Sequence, residues 1–179
     1  MDTARTFVSR RDFLRRGSKG LMLGGAMALS GCSNFSALKV TIAGVRILSD
    51  TTINPSPTGQ ASPVMVRIYA LRNDQMWQQA DFQSLFNDDA TALGTSLITK
   101  REMIVPPGAN IPVRIDLPLD AAFLATVAFF RAIDTAQWRA ILPLESAMVN
   151  NVQINLSAVQ VTLIQVLVGD KPFDPKPLL

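Results

Sequence analysis

Apolar Ile111, Val113, Ile115 and Leu117 alternate with Asn110, Pro112, Arg114 and Asp116. This period of two marks a strand with one face on a core and the other in water. Pro112 has no amide donor, so the strand is expected at a sheet edge or to begin there. Similar apolar runs occupy 40–48, 64–71, 96–105, 125–133, 152–156 and 159–168, parted by clusters of Pro, Gly, Asn and Asp. In the first run the apolar phase changes between Ile42 and Val45, around Ala43 and Gly44, which predicts a bulge. Short strands at this spacing predict an all-β fold, an antiparallel sandwich rather than alternating β-α units.

One stretch breaks the strand pattern. Within 75–93, Trp77, Ala80, Leu85 and Phe86 fall near one helical face and Asp81 is placed to cap a turn, which predicts a short helix or two inserted between strands. A second short helix is expected around 119–123. Asp88 and Asp89, adjacent acids in a polar turn, read as a solvated surface rather than a catalytic or calcium pair. Two loops stand out for proline: 49–63, with three, and the tail 169–179, which reads as an extended surface segment.

The chain before residue 40 follows a different pattern. The uncharged run from Gly20 to Gly31 has twelve residues, four of them glycine. A helix needs about 20 apolar residues to cross a bilayer, so the run is too short to span. Preceded by Arg5, Arg10, Arg11, Arg15, Arg16 and Lys19, it has the layout of a secretory signal, a positive segment followed by a short apolar one. Arg10 and Arg11, followed one residue later by Phe13 and Leu14 and then Arg15, resemble a twin-arginine export signal, which a receptor reads as an address. The alternative reading of the two arginines, as the basic part of an ordinary secretion signal, leads to the same exported location. Leu29, Ser30, Gly31 and Cys32 resemble a bacterial lipobox, whose cysteine thiol takes the lipid and becomes the new N-terminus; a free or buried structural cysteine is the plainer alternative. Ser33 after that cysteine, by resemblance to a bacterial sorting rule, points to the outer membrane.

These segments divide the chain into a cleaved signal (1–31), a lipid-anchored tether (32–39), a domain (40–168) and a proline-rich tail (169–179). The division changes the charge argument. The whole chain carries +3, and residues 1–31 hold six Lys/Arg against two Asp/Glu, so the remaining 148 residues are near −1. The basic excess that would suggest nucleic acid as a partner therefore belongs to the signal. The chain has no histidine and one cysteine. That removes the Ser-His-Asp and Cys-His nucleophiles, leaves a zinc site only carboxylates, and rules out a disulfide within the chain. No Gly-rich phosphate cradle is visible, and no cofactor or small-molecule substrate is expected. Trp77, Trp138 and Tyr69 read as core aromatics, with a sugar-stacking platform as the other reading.

Several segments in order carry a family resemblance: "INPSPTGQASPVMVRIYALR" at 53–72, "ADFQSLF" at 80–86, "LG" at 93–94, "PPG" at 106–108 and "AFFRAIDTAQWR" at 128–139. Together they resemble the outer-membrane lipoprotein family of the type VI secretion system, TssJ, over most of 40–168. The resemblance implies a transthyretin-like two-sheet β-sandwich with a short helical insertion. It also implies a scaffold without catalytic activity that ties the periplasmic C-terminal region of the inner-membrane component TssM to the outer membrane. The loop 49–63 corresponds to the loop implicated in partner binding, which makes Asn54, Pro55, Ser56, Pro57, Thr58, Gly59 and Gln60 the candidate contact residues. Ala70 stands where the family often has Gln, and the twin-arginine signal departs from the general secretion route of most relatives. The rival reading is a periplasm-facing lipoprotein sandwich that binds carbohydrate or peptidoglycan.

Overall fold

The computed structural model describes residues 40–166. The signal residues Arg10, Arg11, Phe13, Leu14, Leu29, Ser30 and Gly31, the anchor Cys32, the tether and the tail lie outside the described residues.

The expected alternation becomes eight strands in two four-stranded sheets: β1 (Thr41–Ser49), β2 (Val64–Leu71), β3 (Leu97–Val105), β4 (Asn110–Leu117), β5 (Phe123–Ala128), β6 (Arg139–Pro143), β7 (Val149–Ser157) and β8 (Gln160–Gln165). One sheet has the order β4-β1-β7-β8 and the other β3-β2-β5-β6. Every pair is antiparallel except β1 with β7, which run parallel. β4 lies at an edge, where Pro112 costs no ladder bond. Alternate residues of the two sheets meet in one core: Ala43, Val45 and Ile47 face Val66, Ile68 and Leu124, with Ile115, Val152 and Ile154 completing it. Along one edge Gln137 ties β8 to the second sheet, its carbonyl accepting from Val161 (2.9 Å) and its amide donating to Val159 (3.0 Å).

Four expectations are corrected. The bulge at Ala43 and Gly44 is absent, because the register runs unbroken to β4 and β7 through both residues. Ile42 is buried on the face opposite Ala43, so neighbouring apolar residues serve two faces of one regular strand. The expected helix at 119–123 is a single turn closed by Ala121 N donating to Pro118 O (3.1 Å), after which Ala122 N bonds Leu71 O (2.9 Å) and the chain rejoins the sheet as β5. The strand expected to run to residue 133 stops at Ala128, because the Arg131 amide turns aside to donate to Asn54 Oδ1 (2.8 Å) and a 3-10 turn follows at Ile133–Thr135. β6 was not expected. Five residues long and hydrogen-bonded to one neighbour, it buries too little to write a period-two pattern.

The helical insertion is present as α1 (Gln75–Gln79) and α2 (Phe82–Leu93), covering the outer face of the second sheet over Tyr69, Leu71, Ala125 and Val127. Trp77 and Tyr69 are buried beneath it, with ring centroids 6.0 Å apart, and Trp138 is half-buried against Phe82. Arg139 donates to the carbonyls of Trp77 (2.9 Å) and Ala80 (2.7 Å), which meets acceptors that the end of so short a helix leaves open.

The two adjacent acids do opposite jobs: Asp88 stays on the solvated surface as expected, and for Asp89 that reading is corrected. Asp88 breaks the helix (φ −152°, ψ 76°) and caps the next turn, accepting from the Thr91 amide (3.1 Å) and hydroxyl (2.7 Å). That break frees the Leu85 and Phe86 carbonyls, which accept from Arg67 at 2.7 and 3.3 Å. Asp89 turns inward to 3% exposure and receives Lys100 Nζ (2.7 Å), Arg67 (3.2 Å) and the Tyr69 hydroxyl (3.0 Å). Burial, with the Asp89 charge beside it, pushes the Tyr69 hydroxyl pKa far up, so it stays a donor at any ordinary pH.

At the start of α2, Asp81 accepts from the Ser84 amide at 2.7 Å, and that bond holds its carboxyl below the ordinary range. The Thr91 hydroxyl and then its amide do the same for Asp88. Both folded pKa values lie below the unfolded ones, so the caps act fully above about pH 4 and their contribution is lost as pH falls through the folded values. The thermal midpoint is therefore expected to drop between about pH 5 and about pH 3, and the drop should shrink in the Asp81→Asn, Asp88→Asn protein. Circular dichroism melts across that range check it; an identical slope in both proteins would contradict the capping role.

Candidate functional site

The β1-β2 loop occupies one end of the sandwich, together with the β3-β4 loop, the β5-β6 loop and the β7-β8 turn. Its first residues are stitched to those neighbours. Ser49 donates its hydroxyl to Pro106 O (2.7 Å) and receives the Ala109 amide on the same oxygen (2.7 Å). Asp50 N bonds Leu156 O (2.9 Å), and Gly108 N returns to Asp50 O (3.1 Å). Gly108 has φ +71°, a conformation that a side chain would strain.

Next, Ile53 drops into the core and Asn54 turns the chain at φ +47°, in the left-handed region that Asn tolerates better than most residues. Asn54 is 4% exposed and every polar end is used. Its amide donates to Ala158 O (2.7 Å), Nδ2 donates to Pro63 O (2.8 Å), and Oδ1 accepts from Arg131 N. Three connections thus meet on one residue, two of them on its side chain and one on its backbone amide. Asn54 was expected among the contact residues; its position corrects that to a buried support.

Beyond it the loop holds its own shape. Ser56 N donates to Gln60 O and Gly59 N to Ser56 O, both at 2.8 Å, and the Ser56 hydroxyl takes the Gln60 amide at 3.1 Å. Gly59 takes φ +82°. Pro55 and Ser56 are half-buried, whereas Pro57, Thr58, Gly59 and Gln60 stand exposed. The seven candidates therefore sort into one buried anchor, two half-buried flanks and a four-residue tip. A tip closed by its own hydrogen bonds has little conformational freedom left to lose when it meets a partner.

Among the described residues no group of three or more His, Cys, Asp or Glu is placed to hold a metal ion. With Tyr69 and Trp77 buried, two of the three aromatics of the sugar-platform reading are out of reach of a ligand. The sequence reading missed the Asp89 cluster. Its signal was the spacing Leu85, Asp89, Leu93, which puts an acid on the apolar stripe of α2 between two fully buried leucines.

The described fold and loops have known counterparts. A family model described as type VI secretion lipoprotein, VasD, EvfM, TssJ matches residues 41–159. The chain is similar to the lipoprotein TssJ1 from Pseudomonas aeruginosa, at 26% identity over 72% of this chain and 98% of that one, with a TM-score of 0.69. It shares its fold with Serratia marcescens Lip, a membrane-bound component of that system, at 24% identity over 72% and 99% of the two chains and a TM-score of 0.64. A chain in the structure of the TssM C-terminal domain from EAEC is 27% identical over 70% of this chain and 98% of that one, with a TM-score of 0.58. No curated protein matches significantly.

Proposed function

The chain belongs to the type VI secretion lipoprotein family of VasD, EvfM and TssJ, and from that premise we propose that it is held at the outer membrane through an acylated Cys32 and ties TssM to that membrane. Members of this family are structural lipoproteins and not enzymes. The candidate contact is the tip Pro57 to Gln60, presented to the periplasmic C-terminal region of TssM.

The observation that carries this reading is the polarity of the sandwich. β1 enters from the tether at one end, and its nine residues rise about 30 Å, at roughly 3.3 Å each, to the end that bears the pre-shaped tip. A lipid at Cys32 then holds the domain by the end opposite the tip. The similarity to a chain found with the TssM C-terminal domain supports the choice of partner. Residues 1–31 supply the export and lipidation signals, with Arg10 and Arg11 as the address and Leu29 to Gly31 leading to Cys32.

The tip is tested by Pro57→Glu with Thr58→Arg, which adds one charge of each sign at exposed positions. Affinity for the TssM periplasmic domain is expected to fall at least about tenfold, about 1.4 kcal/mol, with the thermal midpoint unchanged. Titration calorimetry against that domain reads it, and wild-type affinity in the folded variant would remove the tip from the interface.

A further inference from the structure

The end of the sandwich opposite the tip has its own pattern. Val40, Leu119 and Met148 are 37%, 48% and 50% exposed there. They come from three separate segments, namely the entry to β1, the β4-β5 turn and the β6-β7 loop, and hydrogen bonds knit those segments together. Ile42 N donates to Met148 O (3.0 Å), Ala147 N to Thr41 Oγ1 (3.1 Å) and Ser146 Oγ to Leu119 O (2.8 Å).

The loop that presents Met148 is built and held. Buried Asn150 accepts the Glu145 amide on Oδ1 (2.8 Å) and donates Nδ2 to Glu145 O (2.9 Å), while Ala147 adopts φ +57°. A left-handed alanine costs free energy, so this turn persists because its surroundings impose it. Beside Leu119, the Asp120 carboxylate is neutralised by Arg72 at 2.8 Å. The result is a small apolar surface on rigid loops, bordered by the exposed carboxylate of Glu145.

We propose that this end of the domain is a lipid-contact surface, in which Leu119 and Met148, with Val40, seat in the membrane that carries the Cys32 anchor. The inference rests on the anchoring reading and adds an orientation to it. Ser33 to Lys39 span at most about 25 Å at roughly 3.5 Å per residue, and they lead directly into Val40, which lies in the apolar surface. The surface is thus the part of the domain delivered first to the bilayer. A tether alone would let the domain lie on any side. Apolar side chains at the headgroup boundary select one orientation and hold the tip upright toward the periplasm.

The test uses the lipidated full-length protein in vesicles of phosphatidylethanolamine and phosphatidylglycerol. With Cys32 acylated, a cysteine introduced at Leu119→Cys or Met148→Cys is the single free thiol and takes an environment-sensitive dye. Ile104→Cys, 70% exposed near the end of β3 that lies toward the tip, is the control for the dye's own affinity for lipid. A contact side chain lies about 5–10 Å into the interface, so lipid-borne quenchers are expected to act at least about twofold more at 119 and 148 than at 104. Adding Leu119→Asp to the 148-labelled protein should abolish that excess.

Equal quenching at all three sites in protein that floats with the vesicles would overturn the contact and leave the anchor intact. Wild-type protein that fails to float, or Cys32→Ser protein that floats equally well, would overturn the anchoring reading and this inference with it.

Discussion

Replacing Asp89 with alanine is expected to destabilise the domain by about 3 kcal/mol, because it strands a buried hydroxyl and a mostly buried guanidinium around an empty acceptor. The Tyr69 residue is fully buried and the Arg67 side chain is 13% exposed, so neither finds water readily, whereas Lys100 is 43% exposed and rehydrates. The loss falls where α2 meets the second sheet, since Arg67 also holds the Leu85 and Phe86 carbonyls and packs 4.9 Å over Phe129. A midpoint drop of about 10 °C is expected for a domain of this size. Lys100→Ala removes only an exposed partner and should cost under about 1 kcal/mol. Thermal melts of both variants check the order: a Lys100→Ala protein as unstable as Asp89→Ala would mean that the buried carboxylate is not the keystone.

Asn54→Ala is expected to cost about 2 to 3 kcal/mol, from the Arg131 amide and Pro63 carbonyl left without partners and from a left-handed backbone forced on alanine. Asn54→Gly relieves the second cost and not the first, so its loss should be smaller. The functional effect is separate from the stability effect. Pro57 to Gln60 keep their identity in both variants, yet their platform loosens, and ordering it on binding should lower affinity for TssM on the order of tenfold at a temperature where each variant is folded. Affinity equal to wild type in folded Asn54→Ala would show that the tip is shaped by its own turn bonds alone.

These two residues mark where sequence reading stops. Asn54 was legible as a loop residue, and it lies in the loop that the family resemblance picked out. What hid its role is that its partners, Pro63, Arg131 and Ala158, lie 9, 77 and 104 positions away, brought together by the return of separate strands to one end. Asp89 read as surface because acids next to each other usually are. Only the break at Asp88 turns the second acid inward, onto outward-facing residues of β2 and β3 whose pairing no local pattern records.

The class of the fold, most strand positions, the helical interruption with Asp81 as its cap, and the family are all legible along the chain, because each depends on short-range periodicity or on ordered local motifs. The parallel pairing of β1 with β7, the existence of β6, the buried ion cluster and the opposition of the apolar entry end to the loop tip emerge only in the folded domain. Each of these rests on contacts between residues far apart in the chain. Side-chain period tells which face of a strand is wet; it carries no information about which neighbour that strand will find, or which loops will share an end.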